Sequence, residues 1–247
     1  MRTVRLFSDL EALSRAAAER WVALCGEATA ARGAFHVALS GGATPRRLYQ
    51  NLADNAFSSR IDWSKVHVYF SDERCVPHDH PGSNYRMASE ALLNHVPVPP
   101  EQIYPIEADL AYVRERAAAY ARTLCARAPA AADGAVQLDL MLLGMGADGH
   151  VASLFPAGGA ALHDRRLAVA VYARGQNGWR ISVTFAVINR ARHILLLVAG
   201  EEKAETLRRV FVPNPGSAIL PVQMIKPAHE MEWYLDEAVA ARVEERS

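Results

Sequence analysis

His150 closes the run Gly144-Met145-Gly146-Ala147-Asp148-Gly149, with Asp148 two residues before it. A loop this rich in glycine presents its histidine on an exposed turn, where the neighbouring carboxylate can orient the ring or tune its basicity. An imidazole titrates near neutral pH and can take a proton from water. Ser40-Gly41-Gly42-Ala43-Thr44-Pro45 offers different chemistry. Its glycines let the backbone approach a ligand, and amides at a helix N-terminus hold phosphate through unpaired N–H groups and the helix dipole. A tight turn with a capping hydroxyl would leave the same pattern. Ser71-Asp72-Glu73-Arg74 adds two acids and a guanidinium. The guanidinium can pair with phosphate or carboxylate oxygens, and the acids equally suit a structural ion pair. Arg180 and Lys203 are the remaining candidate phosphate cations.

Three patterns point elsewhere and fail on their surroundings. The run Gly144 to Gly149 spells the dinucleotide fingerprint, which needs a long helix directly after it and an acid about 20 residues on. Pro156, Gly158 and Gly159 cut such a helix short, and Val169 to Tyr172 offers no acid. No P-loop lysine follows the first glycine turn, which argues against a nucleoside triphosphatase. Cys75, His78, Asp79 and His80 match no standard zinc spacing, and Pro77 and Pro81 mark an exposed loop, so no metal site is expected.

The elements that must carry these residues alternate in type. Apolar runs at Val4 to Phe7, Phe35 to Leu39, Val66 to Phe70, Leu138 to Leu143 and His193 to Val198 read as strands. Between them lie helical patterns, the first capped by Ser8 or Asp9 and packing through Leu10, Leu13, Ala17, Trp21 and Leu24. Pro45 suits the first position of the next helix, and Ser83 suits the cap of another running to about Leu93. Alternation of this kind predicts an α/β fold: a parallel sheet with helices on both faces, in one domain over residues 1–247. Four of the strands end in polar or glycine-rich loops, and ligands of open parallel sheets sit at the carboxyl ends of strands.

Composition narrows the partners. Lys plus Arg and Asp plus Glu both number 27 in 247 residues, so the chain has no general attraction for nucleic acid or acidic membranes. Any bound anion must be caught locally. The three cysteines, Cys25, Cys75 and Cys125, form no C-x-x-C pair and no even framework, as expected of a protein kept in a reducing cytoplasm. The first residues carry scattered charges and no apolar segment before a small-residue cleavage site, unlike a signal peptide. Apolar runs such as Ile194 to Ala199 fall far short of the about 20 residues a membrane span needs.

Taken in order, these motifs resemble the 6-phosphogluconolactonase branch of the family that also contains glucosamine-6-phosphate deaminases. The resemblance is carried by Leu39-Ser40-Gly41-Gly42-Ala43-Thr44-Pro45, Asp72-Glu73-Arg74, Ser83-Asn84-Tyr85-Arg86-Met87, Gly144 through Pro156, Arg180-Ile181-Ser182 and Gly200-Glu201-Glu202-Lys203-Ala204. It implies a modified Rossmann-like fold that binds a small sugar-phosphate lactone and needs no cofactor, in a cytoplasmic monomer or homodimer of the oxidative pentose phosphate pathway. It also implies roles: His150 as general base with Asp148 beside it, and Ser40, Gly41, Gly42, Thr44, Asp72, Arg74, Arg180 and Lys203 around the substrate. Phe155 stands where deaminases of the family carry a glutamate, and Arg74 where they carry an aromatic residue; both departures favour the lactonase. Two other readings stay open: an isomerase or deaminase with Asp72 abstracting a proton from C2, and a sugar-phosphate-binding regulator without catalysis.

Overall fold

The computed structural model describes residues 2–173, 178–213 and 216–244. In chain order its strands and helices are β1 (Arg2–Phe7), α1 (Leu10–Arg32), β2 (Phe35–Leu39), α2 (Ala43–Ala53), α3 (Asn55–Ser58), β3 (Val66–Phe70), β4 (Asp72–Arg74), α4 (Asn84–Ala88), α5 (Val113–Arg127), β5 (Leu140–Gly144), β6 (Ala168–Ala173), β7 (Gly178–Val183), α6 (Phe185–Ile188), β8 (His193–Val198), α7 (Ala204–Phe211), β9 (Glu230–Asp236) and α8 (Glu237–Glu244). Six strands form a parallel sheet in the order β1-β9-β8-β5-β2-β3. Consecutive residues Ile194 to Val198 point to alternate faces and all are fully buried, so both faces of the sheet are covered. This is the α/β architecture that the alternating pattern predicts.

Local chemistry sets where the elements begin. The Asp9 side chain, and not that of Ser8, caps α1 by accepting from Ala12 N–H at 2.8 Å. Gly33 ends the same helix in the left-handed region at φ 80°. Along α1, Leu13, Ala17, Trp21 and Leu24 are buried, and the Trp21 ring meets Phe35 of β2 edge-on at 5.6 Å between centroids. Pro45 is the third residue of α2 and not the first. Proline is tolerated there because none of the first-turn amides has a partner inside the helix. Ser83 caps α4, its Oγ accepting from Arg86 N–H at 3.1 Å, and a π-helical turn over Ser89–Leu93 extends that helix to the residue expected.

Of a second sheet the sequence shows only the strand-like run Ile181 to Thr184, most of which falls in β7. Its three strands pair antiparallel in the order β4-β7-β6. Cross-strand partners Asp72 with Ser182, Glu73 with Ile181 and Arg74 with Arg180 fix the register. Because successive side chains alternate, Asp72, Arg74, Ser182 and Arg180 share one face while Glu73 and Ile181 take the other.

Candidate active site

Chain order in the large sheet runs from β2 outward to β3 and then returns to β5 on the other side of β2. The crevice where the order reverses lies outside the carboxyl ends of β2 and β5, the place open α/β sheets reserve for ligands. The turn after β2 is Ser40 to Thr44, and the loop after β5 leads to His150. Between them is a cleft of about 260 Å³ lined by Ser40, Gly41, Gly42, Thr44, Asp72, Arg74, His150, Arg180 and Lys203. Every residue singled out from the sequence as a substrate contact therefore reaches one space. Asp148 does not line it and stands behind His150.

The phosphate-type turn is built as its residue types suggest. Helix α2 starts after Gly42 with no side-chain cap, which leaves the amides of its first turn for a ligand. Ser40 and Thr44 are both buried residues in the cleft wall. Tyr49 holds the turn by donating to Ser40 O at 2.8 Å and accepting from Ser40 N–H at 2.9 Å. Burial of that phenol pushes its ionisation well above the ordinary range, so it stays a neutral clamp. Lys203 approaches from the turn after β8, its Nζ donating to Ala199 O at 3.1 Å.

The histidine loop owes its glycines to packing and not to a dinucleotide. A Cβ on Gly146 would lie 2.2 Å from two atoms of the His150 ring and 2.8 Å from Asp148 Oδ1, so only glycine lets the loop fold back on its own histidine. Gly146 N–H donates to His150 O at 2.9 Å, and Thr206 of α7 ties the loop through the Ala147 carbonyl. His150 Nδ1 is 2.6 Å from Asp148 Oδ1. A carboxylate only accepts, so Nδ1 donates, and in the neutral ring Nε2 keeps its lone pair. Burial alone would raise the Asp148 pKa, but the hydrogen bond from His150, and the charge of that ring when protonated, outweigh it and hold the acid below its usual value. Phe155 packs its ring 4.6 Å from the imidazole, and the Arg180 guanidinium lies over that same Phe155 ring, 5.7 Å from its centroid.

Across the cleft, the face shared by β4 and β7 delivers Asp72, Arg74 and Arg180. Asp72 is buried and accepts from Ser153 Oγ at 2.6 Å. Ser182, its cross-strand partner, accepts from Ser153 N–H at 3.1 Å, so the histidine loop and the small sheet are stitched together here. Ala152, just before that stitch, is in the left-handed region at φ 49° and lines the cleft. Desolvation lowers the Arg180 pKa, with Asp72 opposing the shift. Glu73, on the opposite face, is 1% exposed and accepts from three backbone amides and Ser83 Oγ. Burial nonetheless raises its pKa. Sequence reasoning gave Asn84 no role, and the structure places it in the cleft wall. Among the described residues no group of three or more His, Cys, Asp or Glu side chains is arranged to hold a metal, and no helix is long and apolar enough to cross a membrane.

This geometry has close relatives. The family described as glucosamine-6-phosphate isomerases/6-phosphogluconolactonase matches residues 8–234. The chain belongs to this family. A 6-phosphogluconolactonase of Synechocystis sp. is 40% identical over 211 residues, 85% of each chain. One of Mycobacterium tuberculosis is 37% identical over 246 residues, 98% of each chain. The solved 6-phosphogluconolactonase of Trypanosoma cruzi superposes with a TM-score of 0.85 at 25% identity, over 99% of this chain and 97% of that one. The family match covers both glycine loops and every residue lining the cleft, so the cleft lies wholly within the shared region.

Proposed function

We propose that this protein is a cytoplasmic 6-phosphogluconolactonase, hydrolysing 6-phospho-D-glucono-1,5-lactone to 6-phosphogluconate in the oxidative pentose phosphate pathway. The observation that carries the reading is the Asp148-bound His150, whose basic Nε2 shares one cleft with an uncapped helix start and with Lys203 and Arg180. Relatives named 6-phosphogluconolactonase at 37–40% identity support it. So does Phe155 beside His150, an apolar ring where a proton-transferring carboxylate would serve deamination.

In this mechanism Ser40, Gly41, Gly42 and Thr44, with Arg180 and Lys203, hold the phosphate and so fix the lactone carbonyl near His150. Positioning of this kind supplies several kcal/mol of barrier reduction. His150 Nε2 takes a proton from water as the water oxygen bonds to C1. The tetrahedral intermediate carries its charge on the former carbonyl oxygen, where loop amides and Arg74 stabilise it. The bond from C1 to the ring oxygen then breaks, and the imidazolium returns its proton to that oxygen. Product carboxylic acid ionises, releasing one proton per turnover. Asp72 orients a substrate hydroxyl.

The test is acid release from freshly generated lactone, in chelator and at mildly acidic pH where spontaneous hydrolysis is slow. A large enzyme-dependent rate is expected. A rate equal to background would refute the reading, and glucosamine 6-phosphate would be the next substrate to assay.

A further inference from the structure

One polar side chain in the cleft takes no part in the chemistry just described. Asn84 is 2% exposed and opens α4. Its backbone is pinned by Glu73, which accepts from Asn84 N–H at 2.7 Å, Tyr85 N–H at 2.8 Å and Ser83 Oγ at 3.0 Å. Its side chain reaches three ways. Oδ1 accepts from Arg74 Nη1 at 2.7 Å, while Nδ2 donates to Asp72 O at 2.9 Å and Asp72 Oδ1 at 3.2 Å. On the third side the phosphate turn closes directly on the amide, since a Cβ on Gly41 would sit 2.0 Å from Asn84 Oδ1.

Donor and acceptor rules allow the amide only one orientation. A guanidinium only donates, while a carbonyl and a carboxylate only accept. Flipping the amide would set NH₂ against the guanidinium and oxygen against two oxygens. Asparagine alone, among residues of this size, offers an acceptor to Arg74 and a donor to Asp72 from one rigid group. Among the described residues Arg74 has one further side-chain anchor, Gly82 O at 2.8 Å from the same Nη1.

We propose that Asn84 is a positioning residue for the hydrolysis, its amide locking the Asp72 carboxylate and the Arg74 guanidinium in one relative placement against the Gly41 turn. The inference rests on the lactonase reading for what Asp72 and Arg74 do, and on the geometry above for what Asn84 does to them.

Wild-type protein is compared with N84A, N84S and N84D by steady-state lactone hydrolysis between pH 5.5 and 8.5, with melting temperatures measured alongside. N84A and N84S should lower kcat by about tenfold or more, as misplacement of reacting groups does. KM should change by less than about threefold, because the phosphate contacts remain. N84D keeps the acceptor for Arg74 but turns an oxygen toward Asp72, so two carboxyl groups must share a proton. Its kcat relative to wild type should therefore rise as pH falls, while the ratio for N84A stays flat. A residue that only builds the fold would lower the melting temperature and leave kcat per folded molecule within about twofold of wild type, and that result would overturn the proposal. If the wild type shows no lactonase activity, the functional reading fails on its own, and a crystal structure of N84S decides this one. Arg74 displaced from Gly82 O would sustain it; Arg74 and Asp72 unmoved would sink it.

Discussion

At the scale of single residues, the proposed mechanism depends on which imidazole nitrogen is free. The Asp148 carboxylate accepts a hydrogen bond from His150 Nδ1 at 2.6 Å, which in the proposed mechanism leaves Nε2 as the base. Replacing Asp148 with Asn offers the ring an NH₂ as well as an oxygen, which permits the wrong tautomer. D148N should therefore lower kcat by about 10²-fold with little change in KM, and H150A should lose about 10³-fold or more, within the usual range for general base catalysis. Near-normal turnover by H150A would remove His150 from the mechanism. Binding of 6-phosphogluconate, read by calorimetry, should survive both changes. The glycine spacing that mimics a dinucleotide fingerprint belongs at this scale too. G146A should act like a mutation of the dyad, because its Cβ falls on the ring and on Asp148; kcat at wild-type level in G146A would mean the loop yields without cost.

At the scale of elements, the site is a seam between two sheets. The parallel sheet supplies the phosphate turn and the histidine loop, and the small antiparallel sheet supplies Asp72, Arg74 and Arg180. Phe155 joins the halves: it packs with Val169, Val171 and Ala173 in a cluster separate from the main core, and touches both His150 and Arg180. F155A should cost about 3 kcal/mol of stability, at the lower end for losing a buried phenyl group, and should lower kcat more than it raises KM. F155L should recover most of the stability but not the rate; equal recovery of both would show that the ring serves packing alone. The parallel half could be read from the sequence because β2, β3, β5 and β8 are apolar runs that end in polar or glycine loops. The other half hides. Strand β4 is Asp-Glu-Arg, which spells a loop and becomes a strand only by pairing with β7. Strand β9 carries Glu232, buried because Arg5 and Arg20 reach it at 2.8 and 2.6 Å. Asn84 stands in the Ser83 to Met87 run that carries the family resemblance, but that run gives it no role, which arises only when α4 folds against β4.

At the scale of the whole molecule, the parallel strands separate two kinds of titration. Their carboxyl ends hold the cleft, and near the opposite ends His36 and His67, register partners on β2 and β3, stack at 4.4 Å with an 8° tilt. His36 Nδ1 lies 3.2 Å from Tyr69 Oη, and His67 Nδ1 3.2 Å from Tyr104 Oη. Burial, and then the charges of His67 and Arg32, push the His36 pKa from 6.5 down to about 4; burial also lowers that of His67. A histidine with a depressed native pKa binds fewer protons folded than unfolded between those two values, so unfolding takes up protons there. Its contribution is present above pH 6.5 and is lost as pH falls toward 4, for a total of about 3 kcal/mol. Denaturant unfolding at pH 7, 6 and 5 should therefore show stability falling with pH in the wild type and falling less steeply in H36Q. His36 lies about 13 Å along β2 from the phosphate turn, so kcat and its pH profile should be the same in both proteins. Equal slopes of stability against pH would show that the stacked pair does not carry the linkage, and a shifted kcat profile in H36Q would show that the two ends of the sheet are electrostatically coupled.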